Sequence, residues 1–83
     1  MKIGKVTMVN KGGLITTFNV CYAGLTILGF KLMKNNKNNS YFVSSPSIKY
    51  GNGKYFNFIK ISDEVRDMLK CQILETLKDI KEE

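Results

Sequence analysis

The chain has no histidine, no tryptophan and a single proline. Its first 62 residues contain no aspartate or glutamate. These gaps remove whole classes of function. Without histidine there is no Ser–His or Cys–His nucleophilic pair. With every carboxylate at residue 63 or later, an acid–base pair could come only from the C-terminal segment, where charged residues suit solvent. Two cysteines, Cys21 and Cys71, are too few and too widely spaced for a metal-binding pattern, and both read as small core-type residues. No metal, cofactor or small-molecule substrate is expected, and the chain does not read as an enzyme. Its glycines match neither a P-loop nor a dinucleotide fingerprint, since Gly51-Asn52-Gly53 is a turn followed by Lys54 without the required spacing. No apolar run reaches the roughly 18 residues needed to span a bilayer, so no membrane role is expected. Met1-Lys2-Ile3-Gly4-Lys5 does not open a signal peptide, and the reading is an intracellular, cytoplasmic protein.

What is present is charge of one sign. Residues 1–62 carry nine lysines; residues 63–83 carry all seven carboxylates with Arg66, Lys70, Lys78 and Lys81. The sums are +9 and 4 − 7 = −3, which give the net +6. A body with no negative charge suits a polyanion, because nothing on it repels phosphate. The plainer alternative is a solvated, lysine- and asparagine-rich surface.

Eighty-three residues make one domain, 1–83, with a thin core. Turn signals at 10–13, 23–24, 35–40 and 51–53 divide the body into five strand candidates, about 2–9, 14–22, 25–34, 41–45 and 54–61. Leu14, Thr16, Phe18, Val20 and Tyr22 share one face of the second; Leu28, Phe30 and Leu32 share one face of the third. These two should form an antiparallel hairpin. The fifth changes parity between Phe56/Phe58 and Ile59/Ile61, which a bulge or burial on both faces would explain. Residues 62–82 read as a helix. Ser62 caps it, acidic residues open it, and Val65, Leu69, Ile73 and Leu77 form an apolar stripe that Met68 and Ile80 widen. The expected fold is α+β: an antiparallel sheet of about five strands, residues 1–61, followed by one C-terminal helix. A thin core and free strand edges predict a homodimer.

Residues 41–56 concentrate the binding chemistry. Pro46 cannot donate to a ladder, so the strand before it should end there. Beyond it come the Ser47 hydroxyl, the Lys49 and Lys54 ammonium groups, and the Tyr50 and Tyr55 rings. Hydroxyls and lysines suit phosphate oxygens, and tyrosines stack on unpaired bases. Taken singly, Tyr41 and Tyr55 are better read as core residues. Lys31 and Lys60 extend the candidate surface across the sheet.

The same run, Phe42-Val43-Ser44-Ser45-Pro46-Ser47, resembles the central motif of the SpoVG (stage V sporulation protein G, septation protein) family. Lys49 matches its basic tail, Gly53 its turn, and Arg66 the arginine that opens its helix. Lys5-Val6 through Phe18-Asn19-Val20 is similar to the opening strand pair, and Leu25 through Leu32 to the third strand. The likeness spans about residues 3–77. Here Ile48 stands between Pro46-Ser47 and the first basic residue, and the proline that the family has just ahead of its helix is missing. The resemblance implies a dimeric α+β domain that binds DNA and RNA and regulates bacterial gene expression, with links to sporulation and septation. Ser47, Lys49, Tyr50, Lys54, Lys31, Lys60 and Arg66 are the candidate nucleic-acid contacts. With one arginine, affinity should come mainly from phosphates. Two other readings stand beside this one. One is a protein-interaction module pairing through exposed strand edges. The other is a non-specific single-strand-binding module, resembling transcription-coactivator dimers built from a sheet and a C-terminal helix.

Overall fold

The computed structural model describes residues 1–49, 51–57 and 59–81, with side chains through residue 79. Its elements are β1 (Lys2–Lys11), β2 (Leu14–Tyr22), β3 (Leu25–Asn35), β4 (Ser40–Ser44), β5 (Ser47–Lys49), β6 (Tyr55–Asn57) and α1 (Asp63–Lys81). Strands β1 to β4 form an antiparallel meander in chain order; β5 and β6 form a separate two-stranded arm. The α+β architecture expected from the sequence is the observed one. The fifth candidate strand is much shorter than 54–61, however. It runs only through residues 55–57 and pairs with a three-residue strand that the pattern did not signal. Proline sets that break: β4 ends at Ser44, two residues before Pro46, which cannot donate to the ladder.

The hairpins turn as their sequences require. Lys11 pairs with Leu14 across Gly12-Gly13, and both glycines have positive φ (59° and 87°). Tyr22 pairs with Leu25 across Ala23-Gly24, at φ 50° and 82°. Positive φ at both central residues matches the strand twist, and Gly or Asn adopts it at little cost. Ala23 pays a steric penalty there.

One face of the sheet is covered by α1. Phe18, Val20, Phe30, Leu32 and Val43 from the strands join Leu69, Ile73 and Leu77 from the helix in one buried cluster. The Phe18 and Phe30 rings stack with centroids 5.7 Å apart. Thr16 is fully buried, and its hydroxyl donates to the Thr7 carbonyl at 2.6 Å. Ser62 caps the helix as expected: its Oγ accepts from the Val65 amide at 3.2 Å, and its carbonyl from the Arg66 amide at 2.9 Å. Glu75, Lys78 and Asp79 face solvent.

Several face assignments change. Between Phe18/Val20 and Phe30/Ile27, β3 spends one residue more than β2. Gly29 supplies the bulge at φ 92°. The extra residue reverses parity, so Ile27 turns toward the core and Leu28 is left 64% exposed. A second slip separates Leu14/Met33 from Thr16/Leu32, which puts Leu14 on the face opposite Thr16. Met68 and Cys71 are exposed rather than part of the core, because the helix buries a narrow stripe. Phe56 is exposed because its strand belongs to the arm. Phe58, at the change of parity that a bulge or burial on both faces would explain, and the Ile80 side chain lie outside the described residues.

Leu69→Ala should lower unfolding free energy by about 2–5 kcal/mol, whereas Met68→Ala should change it by less than about 0.5 kcal/mol. Urea unfolding of the two variants gives the ranking, and the reverse order would contradict this helix face. Ala23→Asn should raise stability by about 0.5–1.5 kcal/mol by relieving the left-handed alanine; an unchanged urea midpoint would count against that strain.

Candidate nucleic-acid interface

The uncovered face of the sheet is organised by register. Thr7, Thr17, Lys31 and Ser44 lie in one row across β1 to β4, and Leu14, Met33 and Phe42 align in another. Lys31 follows the buried Phe30 and precedes the buried Leu32, so strand alternation puts it on the open side. The nonpolar stem of a half-buried lysine can cross this surface while its ammonium stays in water.

The arm leans over this face. Pro46 sits against Gly29: a methyl group built on that glycine would meet Pro46 Cβ at 3.5 Å. Ser45 and Pro46 are both buried, which anchors the root of the arm beside the bulge. From there Ser47 pairs with Asn57, Ile48 with Phe56 and Lys49 with Tyr55. One side of the arm therefore carries Ser47, Lys49, Tyr55 and Asn57. The Lys49 Nζ lies 6.0 Å from the Tyr55 ring centroid, within cation–π range. Tyr55 is 66% exposed, not a core residue; Tyr41 does pack against the core. Lys54 is exposed just before β6, where the Asn52 Oδ1 accepts its amide at 3.3 Å.

Two of the recesses along the arm gather the candidate contacts. The first, a groove of about 390 Å³, is lined by Leu14, Lys31, Met33, Ser44, Ser47, Tyr55 and Asn57. The second is a notch at the start of α1 lined by Ser45, Asn57, Ile59, Lys60, Ile61 and Arg66. Asn57 borders both. Of the expected contacts, Lys31 and Ser47 thus meet in the groove, Lys49 stands on its tyrosine wall, and Lys60 and Arg66 meet in the notch. Tyr50 lies outside the described residues. Arg66 is already engaged: its Nη1 is 3.1 Å from Asp63 Oδ1. That pair is largely exposed, so water and salt screen it and a phosphate can compete for the guanidinium.

Asn57 and Leu14 are not among the contacts the sequence points to, and the Tyr55 ring, which suits stacking, is better read from sequence alone as a core residue. Asn57 has no sequence signal, because its position depends on the arm pairing apart from the main sheet. Tyr55 carried one in its neighbouring lysines, but its strand assignment favoured burial. Among the described residues no group of three metal-ligating side chains converges, and no helix is long and apolar enough to cross a membrane. The chain matches no protein-family model, no curated protein and no solved structure to which it was compared.

Gly29→Ala should cost about 1–3 kcal/mol, because it forces a side-chain-bearing residue into positive φ at the bulge that seats the arm. Urea unfolding measures this, and an unaltered midpoint would show that the bulge is not a constraint.

Proposed function

We propose that this protein is a small nucleic-acid-binding regulator, acting as a homodimer in a bacterial cytoplasm and related to the SpoVG family. One observation carries the reading. Residues 1–62, which make up the sheet, the arm and their connections, hold nine lysines and no carboxylate, and the carboxylates begin only with the helix that covers one face of the sheet. A backbone of phosphates is attracted to such a surface and turned away from the helical one. Lys31, Lys49 and Lys54, with the Ser47 hydroxyl, act on phosphate oxygens; Lys60 and Arg66 offer a second point of contact at the notch. Lysine is a point charge without the fork geometry of arginine, so affinity comes mostly from phosphates and base preference is modest. The motif-level likeness to SpoVG proteins supports the same conclusion, including the regulatory role.

Dimerisation draws support from the difference between the two sheet edges. β1 carries Lys2, Lys5 and Lys11 and two breaks of register, features that discourage pairing. β4, Ser40-Tyr41-Phe42-Val43-Ser44, carries no charge. The same uncharged edge favours the second reading, a protein-interaction module that adds a partner strand at β4.

Salt separates the two. Gel-shift titrations with DNA and RNA, duplex and single-stranded, at two salt concentrations should show affinity falling steeply with salt. The double variant Lys49→Ala with Lys54→Ala should weaken all sequences about equally and reduce the log–log salt slope by roughly one to two units. A folded double variant with unaltered affinity and slope would remove the arm from the interface. Absence of any nucleic-acid binding by the wild type would overturn the reading and leave strand pairing in its place. Sedimentation at micromolar concentration should give about twice the 9.4 kDa chain mass; a monomer there would refute the dimer.

A further inference from the structure

We propose that the groove between the arm and the open sheet face is a pocket for an unpaired nucleobase, which makes single-stranded nucleic acid the preferred ligand. The inference rests on the nucleic-acid reading above and names the substrate class of that site.

The groove differs in kind from the lysine-studded surface around it. A phosphate site needs cationic groups and donors, not an apolar floor. Here Leu14 and Met33 supply the floor and the exposed Tyr55 ring a wall. Ser44, Ser47 and Asn57 add hydroxyl and amide groups at the sides, and Lys31 one cation. Flat apolar surface with a few convergent polar groups is the make-up of a small-ligand pocket, and about 390 Å³ lies at the low end of the ~300–1,000 Å³ typical for one. That make-up fits a base: a π-face for the ring, and an amide with both donor and acceptor for its edge. The Lys49 ammonium near the Tyr55 ring and the Lys31 side chain along the groove are placed to meet the phosphates flanking such a base. No carboxylate lines the groove, so neither the base carbonyls nor the phosphates meet repulsion.

Geometry then selects the strand. In a duplex each base is stacked on both faces and paired at its edge, so entering a groove beneath a protein arm requires unstacking and unpairing. A single strand carries no pairing cost. The phosphate contacts serve both forms, but the groove rewards only the unpaired one.

The test uses the full chain and three probes of one sequence, about 12 nucleotides long: a single strand, its duplex, and the same strand with abasic sugars that keep every phosphate. The wild type should bind the ordinary single strand roughly 5- to 150-fold more tightly than the abasic one, the range expected for one stacked base. Tyr55→Ala should remove most of that ratio by weakening the ordinary single strand far more than the abasic one, and Tyr55→Phe should restore it. Asn57→Ala should lower single-strand affinity and leave the abasic strand unaffected. Equal wild-type affinity for ordinary and abasic strands, with the steep salt dependence intact, would overturn the base pocket and spare the phosphate-binding reading. Failure to bind any of the three probes would overturn both. The abasic comparison uses the wild type alone, so misfolding of a variant cannot decide the outcome.

Discussion

Leu69 and Ile73 of the helix, with Phe18, Phe30 and Leu32 of the sheet, exclude water almost completely, and one apolar layer between them supports the whole domain. A chain of 83 residues has no material for a second layer. One sheet face is therefore covered and the other is not. The helix needs only its i, i+4 stripe for this, which is why Met68 and Cys71 stay outside. The core is narrow enough that the fate of each strand residue depends on its parity, and parity depends on the bulges. Gly29 sits at the centre of this dependence. Its positive φ inserts the extra residue that brings Ile27 inward beside Phe30, and Pro46 packs at contact distance beside it.

That pairing of Gly29 and Pro46 joins the fold to the candidate site. The proline ends the β4 ladder, and the bulge weakens the β3 side of the same register, so the chain is released from the sheet there. It forms an arm instead. A two-stranded ribbon of three residues a side has little stability of its own. Its buried root, Ser45 and Pro46, ties it to the sheet, while Ile61 beyond it packs against the core cluster. The arm is thus held at its two ends and open between them. A radius of gyration of 13.0 Å, against about 12 Å for a compact chain of this length, fits such a projection.

Much of this architecture is legible in the sequence. The first four strands, the paired-glycine and Ala-Gly turns, the Ser62 cap and the buried stripe of α1 follow from local rules, because each depends on residues close together in the chain. The errors have one physical source. Alternation predicts a face only while the strand remains regular, and a bulge carries its parity change to every residue beyond it. Regular alternation puts Leu28 on the face of Phe30 and Leu14 on the face of Thr16, and the bulges separate both pairs. Tyr55 and Phe56 were misread because aromatic residues in a strand-like run suggest burial, whereas the run pairs outside the main sheet. The lysines Lys31, Lys49 and Lys54 were recognisable as candidates from charge alone. The grouping of Lys31 and Lys49 with Tyr55 and Asn57 was not, since it depends on the angle at which the arm leaves the sheet.

The division of labour between the two faces explains how so small a domain can hold a binding surface at all. Nearly every residue that the core requires points toward α1, so the outward row of Lys31, Ser44 and Thr17 and the arm residues Ser47, Lys49 and Tyr55 carry little of the folding free energy. Chemistry can be placed there without loss of fold. Charge follows the same division. Lysines spread over the sheet and arm repel one another weakly in water and are screened by salt, while carboxylates on the helix lower the net charge from the other side. A surface of this kind attracts phosphates at long range without choosing among them. Choice requires a feature of short range and defined shape, and the groove beneath the arm, with an aromatic wall, an apolar floor and one amide, is such a feature.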